Sequence, residues 1–174
     1  MASNSFTAGT VLPSKQAVAT YADRDSSPDT DPYSSFWSGA SRVTAESDFY
    51  GRPVPGHRTE ILLQWTRENF YLLFVCPYQE LHLKPDPDLT AETYELWNWD
   101  VAEVFVGADF KNIRRYKEFE VSPQGEWVDL DVNLDNPPHE VGWVWKSGCE
   151  AAARISSAFL LLVTIPASCD NLSC

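Results

Sequence analysis

Positive charge is scarce in this chain. Thirteen lysines and arginines stand against 25 aspartates and glutamates, for a formal net charge of -12 over 174 residues. A nucleic-acid binder needs a positive surface to displace counterions, so that class is excluded, and recruitment to an anionic membrane is disfavoured for the same reason. A neutral ligand or a cation suits such a surface better. Long apolar runs are missing too: nothing approaches the ~20 residues that span a bilayer. Residues 1–20 hold a single lysine and no apolar block of signal-peptide length, which makes the cytoplasm the default expectation. Cysteines are few (Cys76, Cys149, Cys169 and Cys174) and form no CxxC pair. The histidines, His57, His82 and His139, are scattered singly, and nothing has zinc-site spacing. Cys76 ends the apolar run Phe70–Cys76 and reads as a buried free thiol, a usage that fits a reducing compartment. There is no nucleophile elbow, no phosphate loop and no Ser/Cys–His constellation, so the chain reads more as a binding protein than as an enzyme. With Met1 as its only methionine, it offers no Met/His pair for haem.

What the chain does have is apolar and aromatic material. Hydrophobic residues make up 44% and aromatics 13%, enough to bury the core of one domain. Residues 1–35 are rich in Ser, Thr, Asp, Ala and Pro and read as a loosely ordered N-terminal arm, with Tyr33, Phe36 and Trp37 placed to dock on the body. Residues 36–174 read as the folded domain. Within it, Ile61–Trp65 and Phe70–Cys76 flank Arg67-Glu-Asn69 as a hairpin. Further strands are expected at Val101–Val106 and at Tyr116–Val121, the latter stopping at the turn Ser122-Pro-Gln-Gly125. Trp127–Leu134 alternates, with Val128, Leu130, Val132 and Leu134 on one face and Asp129, Asp131, Asn133 and Asp135 on the other. Val141–Lys146, Ala151–Ile155 and Phe159–Ile165 complete the set. No long window repeats at helical spacing. Strands separated by turns describe an all-β antiparallel sandwich, jelly-roll or immunoglobulin-like, with few or no helices. Because such sandwiches usually close with a strand near the first one, the natural domain is expected to run past the abrupt tail after Pro166.

Four stretches carry candidate chemistry. In Leu96-Trp-Asn-Trp-Asp-Val-Ala-Glu-Val-Phe-Val106, strand alternation puts Trp99, Val101, Glu103 and Phe105 on one face and Asp100, Ala102, Val104 and Val106 on a more uniform, core-like one. Glu103 lies among apolar neighbours, an odd place for a charge without a partner or a ligand. A carboxylate there can accept from two adjacent sugar hydroxyls, and tryptophan rings can stack on the C–H faces of a pyranose. Fully extended, Trp97 and Glu103 would stand about 20 Å apart, so one sugar can touch both only if the chain bends at Trp97-Asn98. Glu118 and Glu120, with Asp129, could act as paired carboxylates on a glycosidic bond; beside Arg114, Arg115 and Lys117 they read more simply as surface ion pairs. Asp129, Asp131, Asn133 and Asp135 offer the oxygens calcium prefers. Leu134 occupies the glycine position of an EF-hand loop, however, and alternate acids on a straight strand stand about 6.6 Å apart, so a solvated acidic face is the simpler expectation. Trp143 and Trp145 would point the same way on an extended segment, as an aromatic platform or as packing.

The stretch 96–106, followed by Tyr116-Lys-Glu-Phe-Glu-Val-Ser-Pro-Gln-Gly125 and preceded by Thr59–Trp65 and Phe70–Phe74, resembles a family 9 carbohydrate-binding module. The likeness is closest to the stand-alone "family 9-like" bacterial proteins, and it extends over about residues 43–166. It implies a β-sandwich related to DOMON domains and non-catalytic sugar binding, with the ring held between two tryptophans. By position Trp97 matches one sandwiching tryptophan, and Asp100 and Glu103 match the motif's acids. Three departures are visible. Glu120 follows Phe119 where sugar-binding members carry arginine, no tryptophan follows Trp145 to serve as the second wall, and Trp99 is an additional tryptophan beside the motif. The family often holds structural calcium, whose ligands have no residue-by-residue match here. The expected site is therefore Trp97, Trp99, Asp100 and Glu103 on a carbohydrate. A hydrolase using Glu118 or Glu120 with Asp129, and a protein-interaction sandwich with an eroded sugar site, are the alternatives.

Overall fold

The computed structural model describes residues 17–107, 109, 111–136 and 143–168. Their strands are β1 (Thr20–Tyr21), β2 (Ser41–Ala45), β3 (Thr59–Trp65), β4 (Asn69–Cys76), β5 (Ala102–Val106), β6 (Arg115–Val121), β7 (Trp127–Asn133), β8 (Glu150–Ile155) and β9 (Phe159–Pro166). They form two sheets. The larger runs β1-β3-β4-β9-β8, with β2 also on β3, and the smaller runs β5-β6-β7. Every pairing is antiparallel except the short β1–β3 contact. The chain is an all-β sandwich, as its alternation implies, and its helical content among the described residues is confined to single 3-10 turns such as Phe36–Gly39 and Leu96–Asn98.

β4 and β9 are nearly continuous apolar runs because both faces of the larger sheet are covered. One face gives Leu63, Leu72, Phe74, Phe159, Leu161, Val163 and Ile165 to the core between the sheets, where Ala102, Phe119 and Val121 meet them. The other face gives Leu62, Tyr71, Leu73, Leu160 and Leu162 to a second core closed by Trp37. Trp37 is buried and donates its indole N–H to the Asp29 carbonyl at 2.9 Å, while Tyr33, expected to dock beside it, is exposed. The segment around Asp25 is tied to the β3–β4 turn: its Oδ1 accepts from Thr66 Oγ1 (2.6 Å), Asn69 Nδ2 (2.8 Å) and Tyr71 Oη (2.8 Å). Cys76 is a buried free thiol, as expected. Burial pushes its pKa up to about 11.

Two expectations along the chain fail. No strand occupies 143–149; the expected one begins at Val141, outside the described residues. Trp143 and Trp145 do not form a common platform. Trp143 packs on the outer face of the smaller sheet, and Trp145 packs against Phe119 in the core between the sheets.

Candidate functional site

The smaller sheet has two unlike faces. The inner one carries Ala102, Val104 and Val106 from β5 with Phe119 and Val121 from β6. The outer one carries Glu103 and Phe105 from β5, Tyr116, Glu118 and Glu120 from β6, and Val128, Leu130 and Val132 from β7. The register sets Glu103 opposite Glu120, Glu120 opposite Val128, Glu118 opposite Leu130 and Tyr116 opposite Val132. Three carboxylates thus leave one face of two adjacent strands.

Over that face lies the turn Leu96–Asn98. Leu96 is fully buried against Val128, Leu130 and Val132, with Tyr116 and Trp143 packed alongside. The chain enters the turn through Glu95 in a left-handed conformation, φ 55°, unusual for a residue with a side chain. It closes through Asn98 N–H on the Glu95 carbonyl (3.1 Å) and Trp99 N–H on that of Leu96 (3.0 Å). This is the bend at Trp97-Asn98 that a shared sugar site requires. With Leu96 pinned inward, Trp97 stands 43% exposed, beside Tyr94 at 6.0 Å between ring centroids. Tyr94 in turn meets Trp143 edge-on at 4.9 Å. Trp143 was not distinguishable as a member of this group from spacing, since it stands 49 positions beyond Tyr94 and only the folded chain brings the two rings together.

Trp99 and Asp100 are placed differently. Trp99 leaves the strand pattern and stacks on His82 at 4.6 Å. Asp100 Oδ2 accepts from the His82 N–H (2.7 Å), and the Asp100 N–H donates to the His82 carbonyl (2.9 Å). Together they tie the loop at 82 to the base of the turn.

Electrostatics set the three glutamates apart from the other acids. Glu120 is 0% exposed, and no N–H or hydroxyl group reaches its carboxyl oxygens, whose neighbour is the Glu118 carboxyl, with which a protonated Glu120 shares a hydrogen bond. Burial, then the neighbouring Glu118 and Glu103, pushes its pKa up to about 9. Partial burial and then the charge of Glu118 raise Glu103. The Tyr116 phenol is raised by burial first, then by Glu118 and Glu103. The expected surface ion pairs of Glu118 and Glu120 are therefore corrected: Lys117 leaves the opposite face and pairs with Asp131 (2.9 Å), and Arg114 pairs with Asp135 (2.6 Å).

Asp129 is also corrected. The expected solvated acid is 2% exposed, accepting on Oδ2 from the Ser147 N–H (3.2 Å) and hydroxyl. It lies opposite Phe119 in register, on the inner face, whereas Glu118 and Glu120 lie on the outer one. A general acid–base pair drawn from Asp129 and either glutamate would have to act through the sheet, so that hydrolase arrangement is removed. The calcium reading of 129–135 does not fit either. Asp131 and Asp135 are ion-paired, Asp129 is bound to Ser147, and no group of three metal-ligating side chains is assembled among the described residues.

No protein-family model and no curated protein matches the chain. The family 9 resemblance therefore rests on its short motifs. Among solved structures, a "putative carbohydrate-binding protein" from Bacteroides uniformis is similar, with a TM-score of 0.60 at 14% identity over 87% of this chain and 72% of that one. At that identity the likeness is one of fold.

Proposed function

We propose that this protein binds carbohydrate without transforming it, on the outer face of the three-stranded sheet. The observation that carries the reading is the turn at Leu96–Asn98, which packs Leu96 on the outer face of the smaller sheet, the face that also bears Glu103, and leaves the next residue, Trp97, 43% exposed. Trp97 stacks on the apolar side of a pyranose, and Glu103 accepts from its hydroxyls. Tyr94 backs Trp97 and is itself braced by Trp143, so the ring is held in place before the ligand arrives and little conformational entropy is lost on binding. Asp100 and Trp99 contribute by fixing the turn against His82.

Two similarities agree with this reading: the fold shared with a Bacteroides protein named for carbohydrate binding, and the motif likeness to family 9 modules. Affinity should be modest, because one or two stacked rings contribute only about 1–3 kcal/mol beyond the general cost of association. Intrinsic tryptophan fluorescence, followed while glucose, cellobiose, xylobiose and galactose are added in turn, tests it. A saturable change that Trp97→Ala removes without altering the melting temperature is expected. Silence from folded wild-type protein across the panel would reject sugar binding and leave a protein-interaction sandwich as the function.

A further inference from the structure

The connection from β2 to β3 is itself a tight hairpin. Ser47 bridges Pro53, the Asp48 N–H donates to the Arg52 carbonyl (2.8 Å), and the Val54 N–H donates to that of Glu46 (2.9 Å). Asp48 closes the tip. Its Oδ1 accepts from the Tyr50 and Arg52 N–H groups (2.9 Å each), its Oδ2 pairs with the Arg52 guanidinium (2.7 Å), and Gly51 supplies the left-handed residue, φ 81°. The same guanidinium lies 4.7 Å from the centre of the Tyr50 ring. These bonds fix two aromatic rings in solvent. Phe49 and Tyr50 are 88% and 70% exposed, with centroids 4.0 Å apart, and every residue from 49 to 58 is exposed. A single exposed ring is ordinary. A pair of them on a turn set before any partner arrives has the form of a contact surface, because little entropy is left to lose on docking.

A socket of matching size lies at the base of the same hairpin. The segment that carries Trp37 covers Leu62, Leu73 and Leu160 on the outer face of the larger sheet. Farther along that face, Thr44, Glu60 and Val75 stand side by side in register. With Arg42, Arg58 and Pro77 they line an open pocket of about 470 Å³. A cavity of about 150 Å³ holds one benzene ring, so this one has room for two. Val75 and Pro77 offer apolar contact, the guanidiniums of Arg42 and Arg58 offer cation–π contact, and Glu60 can accept from a phenol.

We propose that two copies of this chain pair about a two-fold axis, the Phe49–Tyr50 tip of each seated in the pocket between Arg42, Arg58 and Val75 of the other. Thr44 and Arg58 line the pocket and also lead into and out of the hairpin, so tip and socket belong to one patch. A patch complementary to itself closes as a two-fold dimer. Charge permits pairing here. Each chain carries -12, which opposes association, but this patch balances Arg42, Arg52 and Arg58 against Glu60, Asp48 and Glu46 in three ion pairs. The inference is independent of the sugar-binding reading, whose site is on the smaller sheet.

Sedimentation velocity of the intact chain across the micromolar range tests it. The wild type should shift from monomer to dimer as concentration rises, and the shift should come at lower concentration once salt screens the repulsion between two acidic chains. The double variant Phe49→Ser/Tyr50→Ser, which lacks the tip, should stay monomeric. So should Thr44→Trp, which fills the socket from an exposed strand position where an aromatic is well tolerated. An equimolar mixture of the two variants should recover a dimer, weaker than the wild type, because one keeps the socket and the other the tip. A wild type that stays monomeric throughout overturns the proposal and leaves the hairpin to a different protein. Dimers that survive in either variant overturn it too, by placing the interface elsewhere, and assemblies that grow beyond two copies overturn the two-fold closure. The wild-type series stands without the variants, so the proposal can be refuted even if one of them fails to fold.

Discussion

Glu120 shows how one side chain can link the chemistry of a site to the stability of a fold. Its carboxyl, raised to about 9 from an ordinary 4.5, is protonated in the folded chain across a pH range where the unfolded chain has released its proton. The folded state therefore binds more protons between those limits, and stability falls as pH rises from about 4.5 through about 9. Glu120→Gln keeps the shape and removes the titration. It is expected to raise the melting temperature at about pH 8 and to flatten the loss of stability above pH 5. Since 1 kcal/mol moves the midpoint of a domain this size by roughly 2–4 °C, a thermal melt series resolves the effect. An unchanged slope in the variant would show that Glu120 is ionised in the folded protein. The sequence made Glu103 conspicuous, an acid among apolar neighbours, but not its partner. Glu103 and Glu120 face each other across a hairpin whose connection covers residues 107–114, and a connection that long leaves the register unspecified.

Among the elements, β7 shows where alternation stops being informative. Val128, Leu130 and Val132 do share a face and Asp129 and Asp131 do share the other, as the sequence pattern requires. The pattern leaves open which face turns inward. Here the apolar face meets Leu96 and Trp143 on the outside of the sheet, and the acidic face meets Lys117 and Ser147 on the inside. β2 went unread for a related reason: Ser41–Ala45 has no apolar run, offers only Val43 to the core, and is placed by its ladder to β3. The turn Leu96–Asn98 is too short to show a period, and it is the element on which the site depends. Replacing its anchor tests that dependence. Leu96→Ala should cost about 2–5 kcal/mol in urea unfolding, the usual range for a buried leucine. It should also weaken sugar binding, because Trp97 loses the support that holds its ring. Full affinity in a destabilised Leu96→Ala protein would detach the ring's position from the turn.

For the molecule as a whole, the two sheets and the turns that cover their outer faces were partly legible. β4 and β9 read as strands from their apolar runs, but their pairing joins residues 69–76 to residues 159–166, and no local signal encodes that contact. The acids then divide by sheet environment. Hydrogen bonds from Thr66 and Asn69 lower Asp25, and Arg52 and Thr90 lower Asp48 and Asp88. Those three contributions are present above the ordinary aspartate value and are lost as pH falls below about 3.8. Glu92, Glu103 and Glu120 are raised, by burial in each case, and their contributions are lost as pH climbs above about 4.5. The melting temperature should therefore peak at about pH 4 and decline on both sides. A maximum above pH 7 would mean that these glutamates, buried Glu120 above all, do not hold their protons.

The most direct test of the account is calorimetric titration of cellobiose and glucose into wild type, Trp97→Ala and Glu103→Gln, with each protein's fold checked by its thermal transition. Saturable binding by the wild type, absent from Trp97→Ala and reduced at least about tenfold in Glu103→Gln, is the predicted result for whichever sugar binds. Binding that survives both substitutions in folded protein would contradict it, placing the ligand away from the outer face of the three-stranded sheet.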